Sequence, residues 1–251
     1  MTNRTTDLPV VNSFNEWDPL EEVIVGILDG ATVLPWEPGV DAITPTPYLE
    51  RLRPYYRLRG GQPIPEAEKD PAQREFDAFI AILQAEGVTI RRPDPIEFAR
   101  PHGTPLWQTK GGNCLANPRD VLIVLGDEIL EATMSWKSRY FEYLGYRTLL
   151  KEYFRAGARW SAAPKPELAD ALFDPGYRPG EGWVTTNYEP VFDAADMARC
   201  GRDIFVQRSH VTNELGIAWL EQHYGDRFRF HTVAFIFGGN GRTDDPFPHL
   251  S

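Results

Sequence analysis

The sequence predicts an α/β protein assembled from a few large, similar units, and two observations carry that prediction. Short apolar runs, each flanked by turn residues, alternate with a smaller number of helical stretches. In addition, a polar-then-strand layout recurs in Asp18-Pro19-Leu20-Glu21-Glu22-Val23-Ile24-Val25-Gly26, Pro118-Arg119-Asp120-Val121-Leu122-Ile123-Val124-Leu125-Gly126 and Gly201-Arg202-Asp203-Ile204-Phe205-Val206. The copies are spaced too loosely for a solenoid, and the spacing suits large modules set around an axis. An acidic residue ahead of a strand is also common in unrelated α/β proteins, so on the residues alone repetition and coincidence both stand.

Taken in order, the first strand is expected at 22–26, a β-branched run closed by Gly26. A helix over 70–86 ends at Gly87 and hands over to a strand at 88–90. Strands at 121–124 and 128–131 lie on either side of the turn residues Gly126 and Asp127. A second helix spans 138–157, with Gly157 as its stop. A strand at 203–206 precedes a third helix over 212–224, which Thr212-Asn213 can cap and Gly225 can end. A last strand falls at 230–235. Two proline-rich stretches, 44–56 and 163–182, read as long surface loops. Both carry aromatic and charged residues rather than Gly/Ser low complexity, so neither reads as a domain linker.

With 251 residues, 42% of them hydrophobic and 12% aromatic, the chain can bury a sizeable core. Its first thirty residues contain neither an apolar signal core nor an Arg-rich amphipathic stretch, and no apolar run has membrane-spanning length. Two cysteines are too few for a disulfide framework and show no metal-ligand spacing, so a cytoplasmic, reducing setting is expected, with no metal and no cofactor. The formal net charge of -10 speaks against a nucleic-acid surface and is compatible with a small cationic substrate.

Three acidic residues stand at strand or turn edges where a side chain can face a cleft: Asp120, Asp193 and Asp203. Asp193 lies between Phe192 and two alanines, flanks small enough to let a planar ligand approach its carboxylate. A guanidinium matches such a group, since its fork of N–H donors meets a carboxylate in bidentate fashion. Equally, Asp193 or Asp196 can cap the local turn. Asp120 can lead its strand paired to Arg119 or to solvent, and Gly201-Arg202-Asp203 reads as a plain turn. The histidines at 102, 210, 223, 231 and 249 are scattered, without metal-site spacing. Cys114, in Lys110-Gly111-Gly112-Asn113-Cys114, has no histidine near it in sequence and reads as a small buried side chain, as does Cys200. Gly238-Gly239-Asn240-Gly241 lacks the lysine and following helix of a phosphate loop and reads as a tail.

These residues, in order, are familiar. Asn15-Glu16-Trp17-Asp18-Pro19-Leu20-Glu21-Glu22-Val23-Ile24-Val25-Gly26 resembles the opening of the glycine amidinotransferases, a family that also holds the inosamine-phosphate amidinotransferases. The resemblance continues through residues 86–95, Pro118-Arg119-Asp120, Trp136-Lys137-Ser138-Arg139-Tyr140-Phe141-Glu142-Tyr143, Ala163-Pro164-Lys165-Pro166, Phe192-Asp193-Ala194-Ala195-Asp196 and Gly201-Arg202-Asp203-Ile204-Phe205. It implies a pentein-type α/β propeller of pseudo-symmetric modules, of which about three of five are expected here. Residues 1–235 are then the N-terminal part of the domain, and 236–251 a divergent tail.

The resemblance also implies a reaction: the amidino group of arginine moves to a small amine acceptor, glycine or an inosamine phosphate, through a covalent amidino-cysteine. By the same route Asp120 corresponds to the carboxylate that binds the guanidinium and Asp193 to the catalytic aspartate. His249 stands as a catalytic candidate because His249-Leu250 is similar to the family's histidine motif, although Ser251 occupies the place of its aspartate. No cysteine lies where the family nucleophile belongs, so the expectation is a C-terminally truncated chain, inactive alone, with room for a homodimer. A deiminase-type guanidine hydrolase and a non-catalytic arginine-binding fragment are the competing readings.

Overall fold

The computed structural model describes residues 9–234 except 45, 179 and 180. It opens with β1 (Glu22–Ile24), followed by helices α1 (Pro38–Ile43), α2 (Thr46–Arg59) and α3 (Glu66–Ala85), and by β2 (Thr89–Arg91), which pairs parallel to β1. A short hairpin, β3 (His102–Gly103) with β4 (Gln108–Thr109), leads to the second sheet. There α4 (Pro118–Val121) turns the chain into β5 (Leu122–Leu125), β5 pairs antiparallel with β6 (Glu128–Glu131), and α5 (Arg147–Arg155) carries it back to β7 (Arg159–Ala162), parallel to β6. The third sheet repeats that plan. Its strands β8 (Met197–Cys200) and β9 (Asp203–Gln207) pair antiparallel, α6 (Glu214–Tyr224) crosses over, and β10 (Arg229–Val233) lies parallel to β9.

Both hairpins turn in two residues with glycine first, Gly126 at φ 61° and Gly201 at φ 68°. A left-handed first position matches the twist of the flanking strands, and a side chain there would be strained. Residue for residue, Glu128 faces Arg159 across the parallel register and Asp203 faces Arg229. The third copy of the sequence repeat is therefore out of phase. The counterpart of Pro118-Arg119-Asp120 is the turn at Asp193, whereas Gly201-Arg202-Asp203 corresponds to Gly126-Asp127-Glu128.

The strands at 128–131 and 203–206 and the last helix lie where the sequence places them. Asn213 caps α6 by accepting from the Gly216 amide at 2.8 Å, and Gly225, at φ 52°, ends it. Three expectations fail. The predicted helix 138–157 is broken: a 3-10 turn occupies Glu142–Tyr146 and the α-helix begins only at Arg147, because Ser138 is tied to Glu37 and Arg139 to Asp120 by tertiary hydrogen bonds. The stretch 44–56 is mostly the helix α2, which accommodates Pro54 in its interior. Nor is 163–182 only surface: Leu168, Leu172 and Phe173 are buried with Val184 and Val191 in a small core of their own.

The main core is continuous across the second and third sheets. Ile123, Leu125, Ile129 and Leu130 from one pack into the same cluster as Met197, Ile204, Val206 and Leu220 from the other. Each such side chain contributes roughly 1.5–3 kcal/mol by leaving water. This shared core fixes the two turns that lead into β5 and β8 side by side.

Candidate functional site

Those two turns carry Asp120 and Asp193. Asp120 sits in the single helical turn α4, which Pro118 opens without losing a needed amide. Asp193 heads the 3-10 turn Ala194–Asp196, and its Oδ1 accepts from the Ala195 amide at 2.9 Å, so the capping reading holds for one of its oxygens. Asp196, next in the turn, accepts from the hydroxyls of Ser209 and Thr212 and is fully buried.

Arg119 staples the turns together. Its guanidinium reaches across to donate to the carbonyls of Ala194 and Met197, the latter at 2.7 Å, and lies 3.5 Å from Glu16. It does not pair with Asp120. That role belongs to Arg139, whose Nη1 donates to Asp120 Oδ2 at 2.8 Å and stands 3.7 Å from Asp193 Oδ2. The other donors of the same guanidinium, Nε and Nη2, bind Glu142 in bidentate fashion at 2.9 and 2.8 Å. Arg139 thus faces three carboxylates, with Arg119 adding attraction to Asp193 and Asp120 from further off, and the acids outnumber the arginines.

The electrostatics follow from that imbalance. Burial, reinforced by the neighbouring charge of Asp120, raises the Asp193 carboxyl well above its usual range, with Arg139 pulling in the opposite direction. Burial likewise pushes Glu142 up to about 7, against the attraction of Arg139. Buried Arg139 is held firmly charged by Glu142 and Asp120. Asp120 keeps 21% of its side chain exposed, whereas Asp193 and Arg139 keep 9% each. The arrangement can therefore take a planar cation against a carboxylate reached from solvent, with a second, buried carboxyl whose hold on a proton is strengthened.

The remaining candidates lie elsewhere. Asp203 is at the end of its sheet, bonded to Arg229 at 2.7 and 2.5 Å and to His231 at 2.7 Å, and the Arg229 hydrogen bonds hold its carboxyl far below the usual range. Burial pushes the Cys114 thiol up to about 11, opposite to what a nucleophile needs. Cys200 is exposed at the end of β8, at the hairpin turn. His249 and Gly238-Gly239-Asn240-Gly241 fall outside the described residues. Among the described residues, no group of three or more His, Cys, Asp or Glu is arranged to hold a metal ion, and no helix is long and apolar enough to cross a membrane.

Sequence reasoning alone misses Arg119, Arg139 and Glu142 as parts of the site. The available signal was two opposite charges three positions apart among Tyr140, Phe141 and Tyr143, an unusual setting unless the charges satisfy each other.

No known family profile matches the chain. It is nevertheless 46% identical over 236 residues to the mitochondrial glycine amidinotransferase of Danio rerio, covering 90% of this chain and 55% of that one. Among solved structures it resembles SxtG, an amidinotransferase of Microseira wollei from the saxitoxin biosynthetic pathway, at 50% identity and TM-score 0.85, covering 89% of this chain and 64% of the other. The inosamine-phosphate amidinotransferase of Streptomyces griseus is similar at 38% identity and TM-score 0.79, with 90% and 63% covered. The chain spans less than two thirds of the length of each.

Proposed function

We propose that this chain, 38–50% identical to amidinotransferases of which it spans 55–64%, belongs to their family, and that Asp120 and Asp193 bind the guanidinium of L-arginine as an amidino donor for a small amine acceptor. The observation that supports it is the convergence of both carboxylates on one guanidinium nitrogen, that of Arg139, from two separate turns. In this reading Asp120 meets the substrate cation at the solvent side. Asp193, whose proton is held high by burial, exchanges it with the reacting nitrogen.

Transfer needs a thiolate that attacks the guanidinium carbon and releases ornithine, followed by an amine, glycine or an inosamine phosphate, that takes the amidino group from sulfur. Cys114 is buried with a raised pKa and Cys200 is remote in its turn, so neither supplies that thiolate. The chain is therefore read as a donor-binding part that does not turn over alone. We read its fold as three modules of a five-module propeller. The reading places it in a reducing compartment such as the cytoplasm, with a homodimer as the assembly that light scattering would test.

Titration calorimetry with L-arginine, combined with product analysis in the presence of glycine, tests the proposal. Saturable binding that Asp120→Asn and Asp193→Asn abolish, without guanidinoacetate, is the expected result. Absence of binding refutes it, and release of citrulline would replace it with a hydrolase.

A further inference from the structure

Lys165, in the segment Ala163-Pro164-Lys165-Pro166, has no part in the guanidinium chemistry above. It follows β7 into the interior, where its ammonium donates to the carbonyls of Ala132 at 3.1 Å and Thr133 at 3.4 Å. The same nitrogen lies 4.4 Å from the centre of the Tyr143 ring and 5.7 Å from that of Tyr140. Among the described residues no carboxylate is within ion-pair distance of it. A partly buried cation with no acid in direct contact is costly to keep, and here its donors are turned to backbone carbonyls.

The carbonyls it holds lead directly to the site. The Thr133 hydroxyl donates to the Phe192 carbonyl at 2.8 Å and accepts from the Phe192 amide at 2.6 Å, bracketing the residue before Asp193. Directly after Thr133 comes Met134 at φ 61°, a left-handed conformation that is unfavourable for a non-glycine residue and persists only when its surroundings impose it. Lys165 is one element of those surroundings.

We infer that Lys165 is a positioning residue for Asp193: by clamping the carbonyls of Ala132 and Thr133 it keeps the Thr133 hydroxyl closed around Phe192, and so sets where the Asp193 carboxylate stands relative to Asp120. The effect on substrate rests on the guanidinium reading; the clamp itself does not. The charged and titratable groups around the ammonium are Glu131 from β6, Arg147 from α5, Glu142 from the 3-10 turn, and the two tyrosines. Burial lowers the Lys165 ammonium to about 8, so the clamp slackens as pH rises through that value.

The test uses the full chain labelled with 15N at phenylalanine and threonine. In the wild type the amides of Phe192 and Thr133 should titrate together with a midpoint near 8, and Lys165→Met should abolish that titration. The same variant should bind L-arginine about tenfold more weakly, the worth of one charge-assisted hydrogen bond. Wild-type amides that stay still through this range overturn the inference, and so does a Lys165→Met chain with unchanged titration and affinity. Should Lys165→Met fail to fold, the wild-type titration decides alone. A wild type that titrates but does not bind arginine supports the clamp and refutes the guanidinium reading.

Discussion

The turn at Asp193 and the sheet end at Asp203 look alike in sequence, each an aspartate beside a hairpin strand, yet they are opposite environments. Asp203 meets Arg229 and His231 in water and stays ionised with its proton held off. Asp193 is buried, shares Arg139 with two other acids, and has its proton held on. The difference lies in how each charge is balanced after burial. An exposed acid with a partner is satisfied, whereas a buried acid with a fraction of a partner retains a reason to bind another cation.

Removing the shared arginine breaks that contrast most violently. Arg139→Met should destabilise the chain by about 3–5 kcal/mol at neutral pH, because it leaves three buried or half-buried carboxylates without their cation. Urea unfolding checks this, and the loss should shrink in acid as the carboxylates still ionised take up protons. Arg119→Met should cost about 2–3 kcal/mol by orphaning the carbonyls of Ala194 and Met197, again read from urea midpoints.

Glu142 sharpens the contrast through pH. Its folded pKa, about 7, lies above the ordinary 4.5, so the stability it contributes is fully present below 4.5 and is lost as pH rises towards 7. Glu142→Gln should flatten the stability profile over that window, by roughly 3 kcal/mol. Asp203→Asn should leave both the urea midpoint and the arginine titration unchanged within error, since the pair it breaks is exposed and screened. An Asp203→Asn chain that loses arginine binding would erase the distinction between the two regions.

Much of the scaffold is legible in the sequence because its signals are local. The apolar run Leu122-Ile123-Val124-Leu125, the two glycine-led turns and the Asn213 cap need no information from elsewhere. Asp120 and Asp193 stand beside Asp203 as candidates in the sequence and are singled out only by the family resemblance; their meeting is not legible there, since it depends on Arg119 reaching a carbonyl 75 positions away. The break in the helix at 138–157 is hidden for the same reason: Ser138 answers to Glu37 and Arg139 to Asp120, both distant in sequence. Composition likewise conceals α2, whose prolines suggest a loop while its remaining residues support a helix.

The Arg119 staple also has a consequence in time. Each β-hairpin with its crossover helix closes through contacts near in sequence, while the bonds that bring Asp193 beside Asp120 span 59 to 78 positions. Long-range closures of this kind form late, after local units have met their own ordering entropy. The two units should therefore acquire protection from hydrogen exchange before the Asp193 turn does, and in the folded chain that turn should open without unfolding either unit. The acidic pair is thus assembled last, at a seam between parts already built.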